Sequence, residues 1–383
     1  MTVTTSQAAL GRDQTKDEEK RTHQYGSLSV QRKISSIPQS LCSESCSAGY
    51  RKAPQPGQPI CCFNCIMCSQ GEMSNQTDSI ECRKCPKNSW PNEKQDKCMK
   101  KVTEFLSYDE LPGMALSATS IFLAMVTAVI LVLFVKCHHT PIVKANNREL
   151  SYVLLFSLML CFLCSLIFIG RPTHTTCMLQ QVAFGIIFTL SISCVLAKTV
   201  VVVIAFSASK PNSNLRKYSG PRLPKILVMI CTAVQVTICI SWIFISTPFQ
   251  DENTTSVPGK IIIECNEGLP VAFWCMLIYL GILATVSLIV AFLSRKLPDS
   301  FNEAKFITFS MMVFVSVWVS FIPAYLSTRG KYMVVVEIFA IISSGAGLLL
   351  CIFVPKCYII LLRPEMNNRD HLMGKGAYKN GNF

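Results

Sequence analysis

The sequence predicts an all-α, seven-helix transmembrane bundle preceded by a small, disulfide-rich extracellular module that contains β-hairpins. Three observations lead there. Seven stretches of about 20 or more mostly apolar residues reach the length a helix needs to cross a hydrocarbon core. Nine of the chain's 20 cysteines lie between Cys42 and Cys98, before the first of those stretches. Lys and Arg gather in alternate loops between the apolar stretches. Of 383 residues 50% are hydrophobic and 15% charged, yet the first hundred are polar, so one soluble part adjoins one membrane part.

In chain order, residues 1–39 are polar, with Asp13, Lys16, Asp17, Glu18, Glu19, Lys20 and Arg21, and are expected to be a disordered or remnant segment. No apolar run follows Met1, so no cleaved signal peptide is expected and the first span would act as the targeting signal. Residues 40–100 hold Cys42, Cys46, Cys61, Cys62, Cys65, Cys68, Cys82, Cys85 and Cys98. Their CxxC spacings also suit a zinc ribbon. Compartment decides for disulfides: thiols outside a cell are oxidised, and about 60 residues with few large apolar side chains need staples to fold. Nine is odd, so at least one sulfur needs a partner elsewhere.

Residues 101–112 read as a linker and 113–355 as the membrane domain. Its spans are expected at about Met114–Val135, Leu150–Ile169, Val182–Phe206, Ile226–Ile245, Leu269–Leu293, Phe306–Leu326 and Met333–Phe353. Short loops imply one bundle. With the N-terminus outside, sixteen Lys and Arg residues, from Lys136 to Lys379, fall on the cytoplasmic side, the tail 356–383 included. Only Arg171, Lys260, Arg329 and Lys331 fall in the outward loops. The sequons at Asn75 and Asn253 then lie outside, as do Cys177 and Cys265, which are expected to bridge the second outer loop to the top of the third span.

The net charge of +13 is spread over these loops instead of one soluble face, which excludes nucleic acid as a partner. The five histidines form no metal-ligand cluster, and there is no phosphate-binding Gly-rich loop or nucleophile–base motif, so neither an enzyme nor a cofactor is expected. A transporter or channel would carry charges at mid-membrane or an inverted repeat, and neither is visible. The basic segments His138 to Arg148, Ser209 to Lys225 and Ser294 to Lys305 suit anionic headgroups of the lipid bilayer.

Five strings carry a resemblance: Cys42-Ser-Glu-Ser-Cys46-Ser-Ala-Gly-Tyr50-Arg-Lys52, Cys61-Cys62-Phe63-Asn64-Cys65, Pro141-Ile-Val-Lys-Ala-Asn-Asn147, Asn302-Glu-Ala-Lys-Phe306 and Pro355-Lys-Cys-Tyr-Ile-Ile-Leu-Leu-Arg-Pro-Glu365. From about Ser40 to Glu365 the chain resembles a class C G-protein-coupled receptor, and within that class a vomeronasal type-2 (pheromone) receptor. The resemblance implies a plasma-membrane protein working as a homo- or heterodimer with class C receptors. A bilobed Venus-flytrap domain would bind a peptide or pheromone ligand and pass the change through the Cys-rich module to the helices. Residues 1–39 are too few for that domain, so sensing is expected only if one is supplied. The alternative is a non-sensing fragment that modulates full-length partners. In the family one of the nine sulfurs bridges to the flytrap domain.

The resemblance also implies a resting lock between Lys198, in the third span, and Glu303, at the foot of the sixth. It further implies contact of Phe301, Asn302 and Glu303 with a heterotrimeric G protein of the inhibitory/Go class. Alternatively Lys198 snorkels to headgroups and Glu303 is solvated. Trp318 and Pro323 mark a switch in the sixth span or a plain kink. Ser343, Ser344, Gly345 and Gly347 read as a close-packing patch, and Glu337 as facing water.

Overall fold

The computed structural model describes residues 42–145, 147–208, 222–295 and 303–363. The chain divides into two compact units, Met1–Glu44 with Pro54–Asn64, and Ser45–Ala53 with Cys65–Phe383. In the smaller unit the Cys42–Cys62 bond joins the two segments, and Gln55 Nε2 donates to Asn64 Oδ1 at 2.7 Å. Ile60 is almost fully exposed there, while Cys62 of that bond is buried.

The Cys-rich module holds short strands: β1 (Tyr50–Pro54), β2 (Phe63–Met67), β3 (Glu72–Met73), β4 (Arg83–Lys84), β5 (Ser89–Pro91) and β6 (Cys98–Lys100). The pairs β3–β4 and β5–β6 are antiparallel. In the larger unit Cys46–Cys65, Cys68–Cys82 and Cys85–Cys98 tie them, with Cys46 and Cys68 buried. Each such bridge stabilises a small domain by roughly 2–4 kcal/mol, mostly by restricting the unfolded chain.

The stretch expected to be a bare linker contributes β7 (Val102–Glu104). It pairs in parallel with β9 (Lys260–Asn266), which pairs antiparallel with β8 (Phe249–Asn253). Ile261, Ile262 and Ile263 of β9 are buried, and because consecutive strand residues point to opposite faces, this central strand is covered on both sides.

Eight helices follow in the larger unit: α1 (Leu111–Lys136), α2 (Pro141–Ala145), α3 (Arg148–Ile167), α4 (His174–Ala208), α5 (Arg222–Ile245), α6 (Pro270–Ser294), α7 (Glu303–Ser327) and α8 (Lys331–Leu362). All but the five-residue α2 are long and apolar enough to span a membrane. Pro112 and Pro270 open α1 and α6, where a missing N–H costs nothing. At Gly113 a Cβ would lie 2.0 Å from Ser107 O, so only glycine lets the chain fold back onto the start of α1.

Burial ranks the helices. In α4 61% of the apolar window is buried and in α3 and α8 56%, against 22% in α5. The centre is therefore α3, α4 and α8, with Phe162, Ile192 and Phe353 fully enclosed. Lipid is as apolar as leucine, so packing and interhelical hydrogen bonds hold such helices together. Ser191 Oγ donates to Ser157 Oγ at 2.9 Å, Tyr279 OH to Cys231 O at 2.9 Å, and Ser120 Oγ to Phe162 O.

Two boundaries differ from the expected spans by about two turns or more. Helix α4 starts at His174, two turns before Val182, because Cys177, Gln180 and Gln181 are buried by neighbours that hydropathy does not see. Helix α8 runs through Pro355 to Leu362, past Phe353 and into the stretch assigned to the tail. Lys356 ends the apolar run but is itself buried in the bundle.

Candidate functional site

Eight of the nine module cysteines are bonded, and Cys61 keeps an exposed thiol. The sulfurs of Cys42, Cys61 and Cys62 lie within 4.8 Å of one another. Cys42 and Cys62 share a bond, so this cluster offers a single thiolate, far short of the four donors zinc takes.

Where the module leads into the bundle, contacts converge on β7. Lys101 Nζ donates to Thr254 O at 3.1 Å and lies 5.8 Å from the Trp90 ring centre. Gly259, at φ +78°, lies against that indole. Glu104 at the end of β7 accepts from Lys260 at 3.1 Å and from Lys331 at 2.8 Å. Lys331, the first residue of α8, also grips both oxygens of Glu110 at 2.9 Å. The hydrogen bond from Lys331 holds the Glu104 carboxyl below the ordinary carboxylate range; burial opposes this, and Lys260 adds to the lowering. Tyr108 OH donates to Leu166 O at 2.7 Å, and Gly170 N to Leu106 O at 2.8 Å, tying the same linker to the end of α3. Cys177 of α4 is bonded to Cys265 of β9. One small sheet is thus fastened to the module, to α4 and to α8.

Below it lies a small cavity of about 20 Å³, lined by Gln181, Phe184, Phe273, Trp318, Phe321 and Glu337 among others. That is room for about one water. Trp318 anchors its aromatic wall, with ring centres 5.6 Å from Phe184, 5.7 Å from Phe188 and 5.2 Å from Phe321. The Trp318 Nε1 is buried without a partner. Pro323 sits inside α7 one turn beyond. Above the cavity Tyr325 OH donates to Glu267 Oε1 at 3.0 Å, and burial raises the Glu267 carboxyl above its usual range. Glu337, read as facing water, instead lines this cavity; an acid within a membrane span is the signal that could have found it.

At the far end of the bundle Lys198 is 4% exposed and donates to Ser151 Oγ of α3 at 2.8 Å. The Glu303 side chain, Phe301 and Asn302 lie outside the described residues. Thr308 Oγ1 donates to Ala291 O at 2.9 Å, joining α7 to α6 there.

Asn75 is exposed. Asn253 is half-buried at the end of β8, where Nδ2 donates to Glu264 Oε1 at 2.9 Å and Oδ1 accepts from Thr255 N and Ser256 N at 3.0 Å. If both sequons face outward, Asn75→Gln and Asn253→Gln each remove one glycosidase-sensitive increment of mass. Mature protein whose mass neither substitution nor glycosidase changes would rule this out.

The family model described as "7 transmembrane sweet-taste receptor of 3 GCPR" matches residues 106–356, and the "Nine Cysteines Domain of family 3 GPCR" matches residues 37–91. The chain is 50% identical over 355 residues to vomeronasal type-2 receptor 26 of Mus musculus, covering 91% of this chain and 42% of that protein. It is 48% identical over 336 residues to the extracellular calcium-sensing receptor of Homo sapiens, covering 88% and 31%. With G-protein coupled receptor family C group 6 member A of Carassius auratus it shares 37% identity over 333 residues, 86% of this chain and 37% of that one. The chain therefore spans less than half the length of these relatives.

Proposed function

Because the chain belongs to the family 3, or class C, G-protein-coupled receptors, we propose that its Cys-rich module relays an extracellular change to the seven helices, which then activate a heterotrimeric G protein. The observation that carries this reading is the β7–β9–β8 sheet with its Glu104–Lys331–Glu110 cluster. A displacement of Cys98 is passed along β6 and β7 to β9. From there it reaches α4 through the Cys177–Cys265 bond and α8 through Lys331.

In this reading the module faces outward and the C-terminus lies in the cytoplasm of a plasma-membrane protein, in keeping with the loop charges and the bridge Cys177–Cys265. Trp318, with its orphan N–H, and Pro323 form the switch in α7. Lys198 pairs with Glu303 in the resting state, assisted by Ser151, and parting of α4 from α7 opens the surface where Phe301, Asn302 and Glu303 meet the G protein. The partner is of the inhibitory/Go class, and the receptor works as a dimer with class C chains.

Two measurements test this. Purified receptor in lipid nanodiscs is expected to speed nucleotide exchange on Go but not on Gs heterotrimers; no exchange on either would overturn the reading. Glu303→Ala is expected to raise basal signalling several-fold at equal surface level. Unchanged basal activity would leave Glu303 a solvated residue.

A further inference from the structure

Between α6 and α7 a cleft of about 290 Å³ opens on the side of the bundle away from its centre. Its rim is formed by Ile278, Val319 and Ile322, all exposed, and its floor reaches Phe314 and Trp318. Gly281 lies in its wall, and a Cβ built there would meet no atom within 4 Å. The lining is apolar. Thr285 is already committed, donating to Gly281 O at 2.7 Å.

We propose that this cleft binds one acyl chain of a bilayer lipid. The space exceeds the roughly 150 Å³ apolar cavity that suffices for a benzene ring. It lies midway along two membrane-spanning helices, where hydrocarbon is the solvent. A polypeptide at that depth must be helical, and a helix about 10–12 Å across does not enter a cleft of this volume. The lining carries no charged group, and the indole N–H groups of Trp274 and Trp318, being donors only, cannot hold a ligand cation, so the occupant is apolar and narrow. Leu277, Trp318 and Phe321 line both this cleft and the small inner cavity, so the bound chain rests against the side chains that close that cavity. The inference needs the helices to lie in a bilayer but does not need a G protein.

The test uses the full chain in nanodiscs of phosphatidylcholine carrying a diazirine in its acyl chain, with adducts mapped by mass spectrometry after exchange into unlabelled lipid. Ile278, Val319 and Ile322 are expected to retain several-fold more adduct than Phe122, Val129 and Val132, which face lipid on α1 without a cleft. Gly281→Leu is expected to bring the signal down to the α1 level with an unchanged melting temperature. Gly281→Ala serves if the larger side chain prevents folding. Equal labelling of the two faces would overturn the proposal. So would labelling that both substitutions leave intact, or a disulfide between two copies carrying Ile278→Cys, which would place a second chain over the cleft.

Discussion

Replacing Lys331 with methionine is expected to lower the melting temperature by several degrees and to uncouple the module from the bundle. The ammonium is 13% exposed and lies between carboxylates that are 19% and 35% exposed. Without it, Glu104 keeps only the more exposed Lys260, and Glu110 loses both of its contacts. Fully buried pairs cost about 3–5 kcal/mol to break and surface pairs about 0–1, so a partly screened cluster should lose about 2 kcal/mol. For a membrane domain of this size that is roughly 4–8 °C. The lost stability should be partly restored by adding Glu110→Gln, which removes the charge left unpaired, so the double variant should be more stable than additivity predicts. Strictly additive effects, or a shift under about 1 °C, would contradict the cluster's role.

The same cluster sets an acid limit. The carboxyl of Glu104 is lowered from its ordinary 4.5, so its contribution is fully present above that value and is lost as pH falls through the lower folded value. Wild-type melting temperature should therefore show no loss from this group between pH 7 and 5, and should fall below pH 4.5. In the methionine variant, which lacks the main cause of that lowering, the fall should be smaller.

Changing both Cys177 and Cys265 to serine is expected to have the largest effect of any pair. The bond closes a loop with a sequence separation of 88, for which chain entropy gives about 4–5 kcal/mol as an upper value. Membrane insertion already confines the loop's ends, so the realised loss is smaller. The sheet nevertheless loses its covalent attachment to α4, and the buried Ile261–Ile263 run loses part of its fixed seat. Surface level and melting temperature should both fall, and a double serine variant equal to wild type in both would count against the bond.

The seven spans were legible because about 20 apolar residues in a row permit little else. What escaped was set by distant partners. Three residues, Val102–Glu104, form a strand only because Lys260–Ile262 lies beside them, and no local pattern announces a parallel pairing across more than 150 positions. The β8–β9 hairpin had a signal, the Ile261-Ile262-Ile263 run after Asn253–Gly259, which the expectation of bare loops overrode. Cysteine spacing showed a disulfide framework but not its connectivity, since eight cysteines allow 105 pairings. The Glu104–Lys331 contact was likewise hidden: each residue alone reads as a solvated charge. Trp318 was recognised from its proline neighbour, whereas Gln181 and Phe184 look like ordinary helix residues until α7 packs on them.

The length of α8 has a mechanical consequence. Its 32 residues extend about 48 Å, while the hydrocarbon core is about 30 Å thick. In the proposed relay the helix would serve as a lever: its load arm ends at Lys331 on the sheet, its other arm passes Pro355 and ends beyond Tyr358, and Phe162 against Gly345 supplies a fulcrum between them. A tilt of about 10° moves each end by about 4 Å in opposite directions. Under the relay proposed above, a pull on Lys331 would be inverted at the far end of the helix.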